Sequence, residues 1–391
     1  MTLETPKKQS QLQVGILASG PHPVQTIYLP ALHALSNLFT ITAICTPQSP
    51  SNSITDILTN DQISLVLNFM PNEYHELYTI AALQAGKHVM VETPVSLSIP
   101  SAKRILDAER EAPRGARVFV ASARRYAPCF ENVFKKEVRG LKRIHYARLR
   151  MIAGPHVAHS ATSSESNTNS GGECDGTGER DNDRTSRLKD LMAEIFGQDE
   201  EPNHERIALS RFLASLGCHD LGLMRDTLGY PDATSNISVN EPFYSALFHY
   251  NGTGSGNGNS NHNSNGAHVA TQPFTLMYET GTDNVPRCDA QLAVYGQNKT
   301  VTIHYDLPYA RAHPVRVVVE AADERGGLKQ TETVSTWEEA YQEELKALHG
   351  YLVEGKEAKT TARDSLEDIR LFQTIFKQYD RQCGTIRTPL G

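Results

Sequence analysis

The chain has 391 residues, more than a single hydrophobic core usually serves, so two domains are expected. Hydrophobic residues make up 39% of it, diluted by two polar tracts rather than by a general shortage of core residues. The net charge is −7 and no Lys/Arg run exceeds two residues, which argues against a nucleic-acid or anionic-membrane partner. The six cysteines are scattered, with no C-x-x-C and no zinc-ligand spacing, so neither a disulfide framework nor a metal site is indicated. The opening MTLETPKKQSQ has no apolar signal region, and no apolar run reaches 18 residues. A cytoplasmic protein is the expectation.

In chain order, a tail (1–12) precedes a short apolar run, Gln13–Leu17, that ends in Ala18-Ser19-Gly20. A helical stretch follows, then the β-branched Phe39–Cys45 and the buried-strand run Ile63–Phe69, closed by Met70-Pro71-Asn72. Glu76–Ala85 reads as a helix stopped by Gly86, His88–Val91 as a strand, Ser101–Glu111 as a helix and Val118–Ala121 as a strand. Short apolar runs separated by helices imply α/β organisation, with a doubly wound parallel sheet over residues 13–126. From 127 to 391 the pattern changes to strands joined by hairpins with helices to one side: a helix near Glu131–Val138, strands at Arg143–Met151, Phe243–Tyr250, Phe274–Glu279, Asp289–Tyr295, Thr300–Tyr305 and Val315–Glu320. Further helices are expected at Leu188–Phe196, Glu205–Leu228, Trp337–Glu354 and Ser365–Tyr379. This second domain is expected to be α+β on a largely antiparallel open sheet. Residues 160–187 and 251–266 are low-complexity loops, the latter an elongated hairpin loop. His156 and His159 read as solvated polar surface rather than metal ligands.

In a parallel sheet, ligands bind beyond the strands' carboxyl ends, where a dinucleotide needs a tight turn that exposes backbone N–H groups. Here Ala18 stands where the first glycine of G-x-G-x-x-G belongs, Gly20 where the second does, and Pro23 near the third. An ordinary Gly-Pro turn is the competing reading. After the second strand comes Cys45-Thr46-Pro47-Gln48-Ser49, without the acid that binds the ribose of NAD, a slight lean towards NADP.

Three later segments are more specific: Leu67-Asn68-Phe69-Met70-Pro71-Asn72-Glu73-Tyr74-His75, Ala81-Ala82-Leu83-Gln84-Ala85-Gly86-Lys87-His88-Val89, and Val91-Glu92-Thr93-Pro94. Together with Ala123-Arg124-Arg125-Tyr126 and Leu216-Gly217-Cys218-His219-Asp220-Leu221, they resemble the glucose–fructose oxidoreductase / inositol dehydrogenase family (Gfo/Idh/MocA). The long Ser/Asn/Gly insertions resemble those of fungal members. The resemblance implies a Rossmann domain holding NADP or NAD, and a substrate laid against the open sheet of the second domain. It also implies a homo-oligomer, dimer or tetramer. Carried over, Ala18, Ser19 and Gly20 would line the pyrophosphate, with Thr46 near the ribose. Met70, Pro71, Asn72 and His75 would form the nicotinamide-side loop, Glu92 would touch the nicotinamide ribose or carboxamide, and Arg125 would face cofactor or substrate. Thr93 and His219 would be the catalytic pair, with His219 relaying the proton.

Two departures weaken that catalysis. The family's Lys in Glu-Lys-Pro is Thr93, and the Asp four residues before the His is Ser215. Thr93 can hydrogen-bond but supplies no charge to a developing alkoxide. The expected activity is hydride transfer with a small polar substrate: a sugar, polyol, carbonyl or imine. A non-catalytic dinucleotide-binding sensor, or a non-redox enzyme with tightly held NAD, would use the same scaffold. Asp220 is expected to be structural, paired with an Arg such as Arg225, and Tyr126 to pack.

Overall fold

Aliphatic and β-branched runs that stop at small or turn residues become strands covered on both faces. A computed structural model describes residues 11–20, 24–46, 53–154, 178–197, 202–252, 272–311 and 313–383. The first domain runs β1 (Leu12–Ala18), a wide turn Val24–Tyr28 leading into α1 (Leu29–Ala34), then β2 (Phe39–Cys45) and α2 (Ile54–Thr59). It continues through β3 (Leu65–Phe69), α3 (His75–Gln84), β4 (His88–Val91), α4 (Ile99–Glu111) and β5 (Val118–Val120). The sheet order is β2-β1-β3-β4-β5, with all four pairings parallel. α2 escaped the sequence reading because it is one and a half turns long; Ser53 and Asp56 cap it reciprocally.

The second domain begins with Phe130–Phe134 and α5 (Lys135–Arg139), then β6 (Ile144–Ala153). Helices α6 (Gly178–Phe196), α7 (His204–Phe212) and α8 (Cys218–Leu228) follow, the last two joined through the wide turn Leu213–Gly217. Strands β7 (Ala233–Asn240), β8 (Phe243–Tyr250), β9 (Phe274–Thr282), β10 (Cys288–Gly296), β11 (Lys299–His304), β12 (Val315–Ala322) and β13 (Leu328–Ser335) complete an eight-stranded sheet with β6. Its order is β13-β12-β11-β10-β6-β9-β8-β7, antiparallel except for β6 beside β9. The chain closes with α9 (Trp337–Val353) and α10 (Ala362–Cys383). β8 and β9 pair antiparallel, as the hairpin reading requires; residues 253–266 of the intervening loop lie outside the described residues, as do 160–177, His156 and His159.

Three differences from the sequence reading have physical causes. α6 begins at Gly178, ten residues before the expected Leu188, because its polar first half is held by partners outside it. Tyr74 donates to Asp183 (3.0 Å), Arg184 pairs with Glu73, and Arg187 lies over the Tyr74 ring. β13 is a polar, exposed edge strand fixed by its ladder to β12, so it lacks an apolar alternation. β7 is interrupted by a register shift between Ser235 and Ser238, with Asn236 at φ 50°, which breaks its period of two.

The division near residue 126 separates the strands but not the helices. Leu345 and Leu348 of α9 pack with Val14, Ile16 and Leu67 on one face of the first sheet. Leu366 and Ile369 of α10 pack with Val89, Val91 and Val118 on the other. Val120 N–H also donates to Thr360 O at 2.8 Å, tying the last strand of the first domain to the loop before α10.

Candidate functional site

The order β2-β1-β3 sends the chain to opposite sides after β1 and after β3, which opens a crevice between their carboxyl ends. Ser19 and Gly20 stand at one lip and Met70-Pro71-Asn72 at the other, all partly exposed; Ala18 is buried at the strand end. A Cβ built on Gly20 would meet nothing within 4 Å, so backbone is open to a ligand there. Thr46 follows β2 and is partly exposed. Pro21–Pro23, whose side chains bear on whether the opening is clear, lie outside the described residues, as do Pro47–Ser49. A diphosphate fits this lip through Ser19, Gly20 and their amides.

The opposite lip is held from behind. Asn68, buried, donates to His75 O and Thr79 Oγ1 (both 3.3 Å) and accepts from Met70 N–H at 3.3 Å. His75 stands between Pro94 O (2.8 Å) and Met70 O (2.9 Å) and is 1% exposed. Burial lowers its pKa against the pull of the two carbonyls. Both nitrogens face backbone, so His75 braces the Met70 loop against Pro94 rather than presenting a nitrogen to a nicotinamide. Asn72 Nδ2 reaches Ala214 O at 3.5 Å and links this lip to the second domain. Lys87 donates to Asn60 O (2.6 Å) and Ile63 O (2.9 Å), far from any role as a replacement cation.

Between the carboxyl edge of the first sheet and the second domain lies a narrow cleft, open to solvent. Glu92, Arg124, His219, Tyr305, Tyr309 and Trp337 supply its functional groups. Of the residues singled out in sequence, Glu92 and His219 meet there; the cofactor lips and Thr93 do not line it. Glu92 is partly buried. Burial pushes its pKa up to about 7, despite hydrogen bonds from Tyr309, Tyr28 (3.3 Å) and the Thr93 backbone. Tyr309 has φ 62°, an uncommon conformation for an aromatic residue, and its N–H donates to Tyr341 Oη at 3.2 Å. His219 sits edge-on to the Tyr309 ring at 6.5 Å. Burial, then the Arg124 guanidinium, brings its pKa down to about 3, so the imidazole is neutral at ordinary pH.

Of the two adjacent arginines, Arg124 rather than Arg125 faces the cleft. Arg125, 4% exposed, is committed to Asp226 (3.0 Å) and Asp364, so it reaches neither cofactor nor substrate. Arg124 lines the cleft, bonded to Asp220 (3.0 Å) and Asp306 O and stacked over Tyr305 at 4.6 Å. Asp220 thus pairs with Arg124, while Arg225 goes to Asp364 and Asp368. Burial raises the Asp220 pKa to about 6 against Arg124 and Tyr305. Tyr305 lines the cleft in front of buried Asp220, yet Tyr305 Oη and Asp220 Oδ2 close no well-formed hydrogen bond. Gly217 is where the wide turn meets this wall: a Cβ there would stand 3.2 Å from Tyr278 Oη. Ser215 turns back to Phe212 O at 3.3 Å, and Tyr126 bonds Thr360 Oγ1 at 2.8 Å as packing.

Sequence reasoning missed Tyr28, Tyr309, Trp337, Tyr341 and Glu344. A signal did exist for three of them. Trp337, Tyr341 and Glu344 fall at i, i+4 and i+7, one face of α9, with an acid on an otherwise apolar stripe. Among the described residues no group of three or more His, Cys, Asp or Glu is placed to hold a metal, and no helix is long and apolar enough to cross a membrane.

Comparison with known proteins agrees with this geometry. Residues 14–121 match the family described as an oxidoreductase family with an NAD-binding Rossmann fold, GFO_IDH_MocA. A 4-carboxy-2-hydroxymuconate-6-semialdehyde dehydrogenase of a Sphingobium species is 30% identical over 87 residues, 22% of this chain and 27% of that one. Inositol 2-dehydrogenase of Klebsiella pneumoniae is 37% identical over 59 residues, 15% of this chain and 18% of that one. The chain therefore spans only about a quarter or less of the curated relatives it matches. At the level of fold the likeness runs the whole length: biliverdin reductase of Synechocystis, solved with biliverdin and NADP+, superposes with a TM-score of 0.58 at 15% identity, covering 94% of this chain and 98% of that one. The parallel-sheet domain, residues 14–121, thus matches the NAD-binding Rossmann domain of the Gfo/Idh/MocA oxidoreductase family.

Proposed function

We propose that the chain is an NAD(P)-dependent oxidoreductase acting on a small polar substrate, a sugar, polyol, carbonyl or imine, held in the cleft between the two domains. The observation that supports it is the convergence of Glu92, Arg124, His219 and Tyr309 on one cleft beside the crevice at the β1/β3 switch point. Ser19, Gly20 and Thr46 would hold the diphosphate and ribose, and Met70–Asn72 the nicotinamide side. The bound cofactor supplies or accepts the hydride. Arg124 fixes a positive charge in the cleft wall. Neutral His219 orients a substrate hydroxyl or carbonyl through a hydrogen bond. Thr93 leaves out the family Lys, so substrates needing little electrostatic activation suit the site best. The proposal extends to a cytoplasmic homo-oligomer.

Calorimetric titration with NAD, NADH, NADP and NADPH separately, followed by steady-state assays on alcohols, carbonyls and imines, tests this reading. Binding of at least one nucleotide and turnover of at least one class are expected. Tight nucleotide binding without turnover favours a sensor, a reading supported by the absence of a lysine among the described residues of the cleft wall. No binding of any of the four removes both.

A further inference from the structure

Glu344 of α9 is 0% exposed, yet has no Lys, Arg or His at ion-pair distance among the described residues. It accepts from the Ser122 N–H and lies 3.5 Å from the Tyr28 hydroxyl, which also lies 3.3 Å from Glu92. Two carboxyl groups are thus one phenol apart, and among the described residues no cation stands at ion-pair distance from Glu92 either. A single O–H donates to one carboxylate at a time, and two carboxylates so placed, one buried and one partly buried, do not both ionise near neutrality. One proton therefore resides on the pair. The Tyr28 ring is fixed for this task, stacked on Phe69 at 4.3 Å and edge-on to Tyr341 at 5.5 Å.

Only Glu92 of the two lines the cleft. We infer that Glu92 is the proton-exchanging group for the substrate, and that Glu344, acting through Tyr28, is the positioning residue that keeps it supplied with a proton. This rests on the oxidoreductase reading above. In the reducing direction the substrate carbon receives a hydride while its oxygen or nitrogen takes the Glu92 carboxyl proton, leaving a carboxylate. Where the pair's single proton rests on Glu344 instead, Tyr28 first passes its hydroxyl proton to Glu92 as its oxygen accepts the proton of Glu344; after the transfer to substrate, solvent in the cleft returns a proton to Glu92, the carboxyl of the two that lines it. The reverse sequence serves oxidation. The pair does the proton work for which the missing lysine would otherwise be available.

The groups that set the pair's titration come from every surrounding element: Tyr28, Tyr309, Tyr341, and the thiol of Cys218, all neutral, with Arg124 and His219 further along the cleft wall. Lys359 acts on Glu344 at longer range. Burial, reinforced by Glu92, drives Glu344 well above the ordinary carboxyl range, against the Ser122 and Tyr28 hydrogen bonds.

Infrared difference spectroscopy of the full chain without nucleotide tests for the stored proton. At about pH 6, above the ordinary carboxyl range, a protonated-carboxyl carbonyl band is expected. It should be diminished in Glu92→Gln and Glu344→Gln. In Glu344→Gln the remaining band should titrate at lower pH than in the wild type, because the like charge is gone. Tyr28→Phe, which keeps the ring stack, should also change its titration. With NADPH and a panel of aldehydes and imines, Glu92→Gln should lose turnover by about 100-fold or more while calorimetric NADPH affinity is retained. Glu344→Gln should shift the alkaline limb of the kcat/KM profile downward. Absence of the band in the wild type, a band untouched by both substitutions, or Glu92→Gln turnover equal to wild type overturns the inference alone. Nucleotide binding with no wild-type turnover overturns it together with the oxidoreductase reading.

Discussion

At the scale of single residues, Glu92 has a consequence for stability as well as for chemistry. Its folded-state pKa of about 7 lies above the ordinary glutamate value, so between those two the folded chain binds more protons than the unfolded one. Its favourable contribution is complete below the ordinary value and lost as pH rises through 7. Glu92→Gln cannot ionise, so its Tm relative to wild type should be more favourable at about pH 8 than at about pH 5. Differential scanning calorimetry at the two values reads the sign directly. A difference that does not change with pH would show that Glu92 ionises freely in the fold. His219 has the opposite signature. With a pKa brought down to about 3, it stays neutral in the fold while the unfolded chain takes up a proton below the ordinary value of 6.5, so stability is lost on acidification. The same two residues mark what the sequence could and could not reveal. Glu92 and His219 stood at the ends of recognisable segments, so they were legible. Which of Arg124 and Arg125 faces the cleft was not, because adjacent residues at a strand's end differ only in the partners that distant helices bring.

At the scale of elements, the helices are joined to one another by buried charge. Asp226 of α8 takes Arg125 (3.0 Å) and Lys135 of α5 (2.8 Å), with Lys359 at 3.8 Å; Lys359 also reaches Glu131. Burial acts against the Asp226 carboxylate, but Arg125, Lys359 and Lys135 outweigh it and hold its pKa well below the usual range. Asp226→Asn leaves three cations around a neutral amide and should cost about 3–5 kcal/mol, read as a lower denaturant midpoint with unchanged slope. Because its pKa is depressed, the contribution of Asp226 is present above the ordinary aspartate value and lost as pH falls through the folded one. A cost under about 1 kcal/mol would mean that the network is solvated and that α5 and α8 are joined by apolar contact alone. Apolar period made the elements themselves readable: Phe39–Cys45, His88–Val91 and Phe243–Tyr250 coincide with their strands. Elements made by partners were not readable. The first half of α6 has Glu73 and Tyr74 to hold it, and β13 has its ladder to β12 and the Cys129 N–H on Ser335.

At the scale of the whole molecule, the terminal helices decide whether the Rossmann domain exists as a separate object. Its sheet is doubly wound, but α1 and α2 are six residues each and cover little. The missing cover comes from the far end of the sequence: Leu345 and Leu348, both 0% exposed, on one face, and Leu366 (5%) and Ile369 (1%) on the other. Each such side chain contributes about 1.5–3 kcal/mol by burial, so the four together are worth roughly as much as the whole net stability of an ordinary domain. A fragment of residues 11–126 should therefore not fold cooperatively alone. Circular dichroism melting without a sigmoidal transition, together with dye binding to exposed apolar surface, is the expected result. Adding residues 337–383 through a flexible linker should restore a cooperative melt. A fragment that melts sharply without them would make the domain autonomous and reduce α9 and α10 to a dispensable wrapping. Glu344 depends on the same docking, since α9 is the element that brings it to Tyr28 and Ser122. Cover for the first sheet and the buried acid beside the cleft are thus one structural event, and a chain cut before Trp337 should lose both.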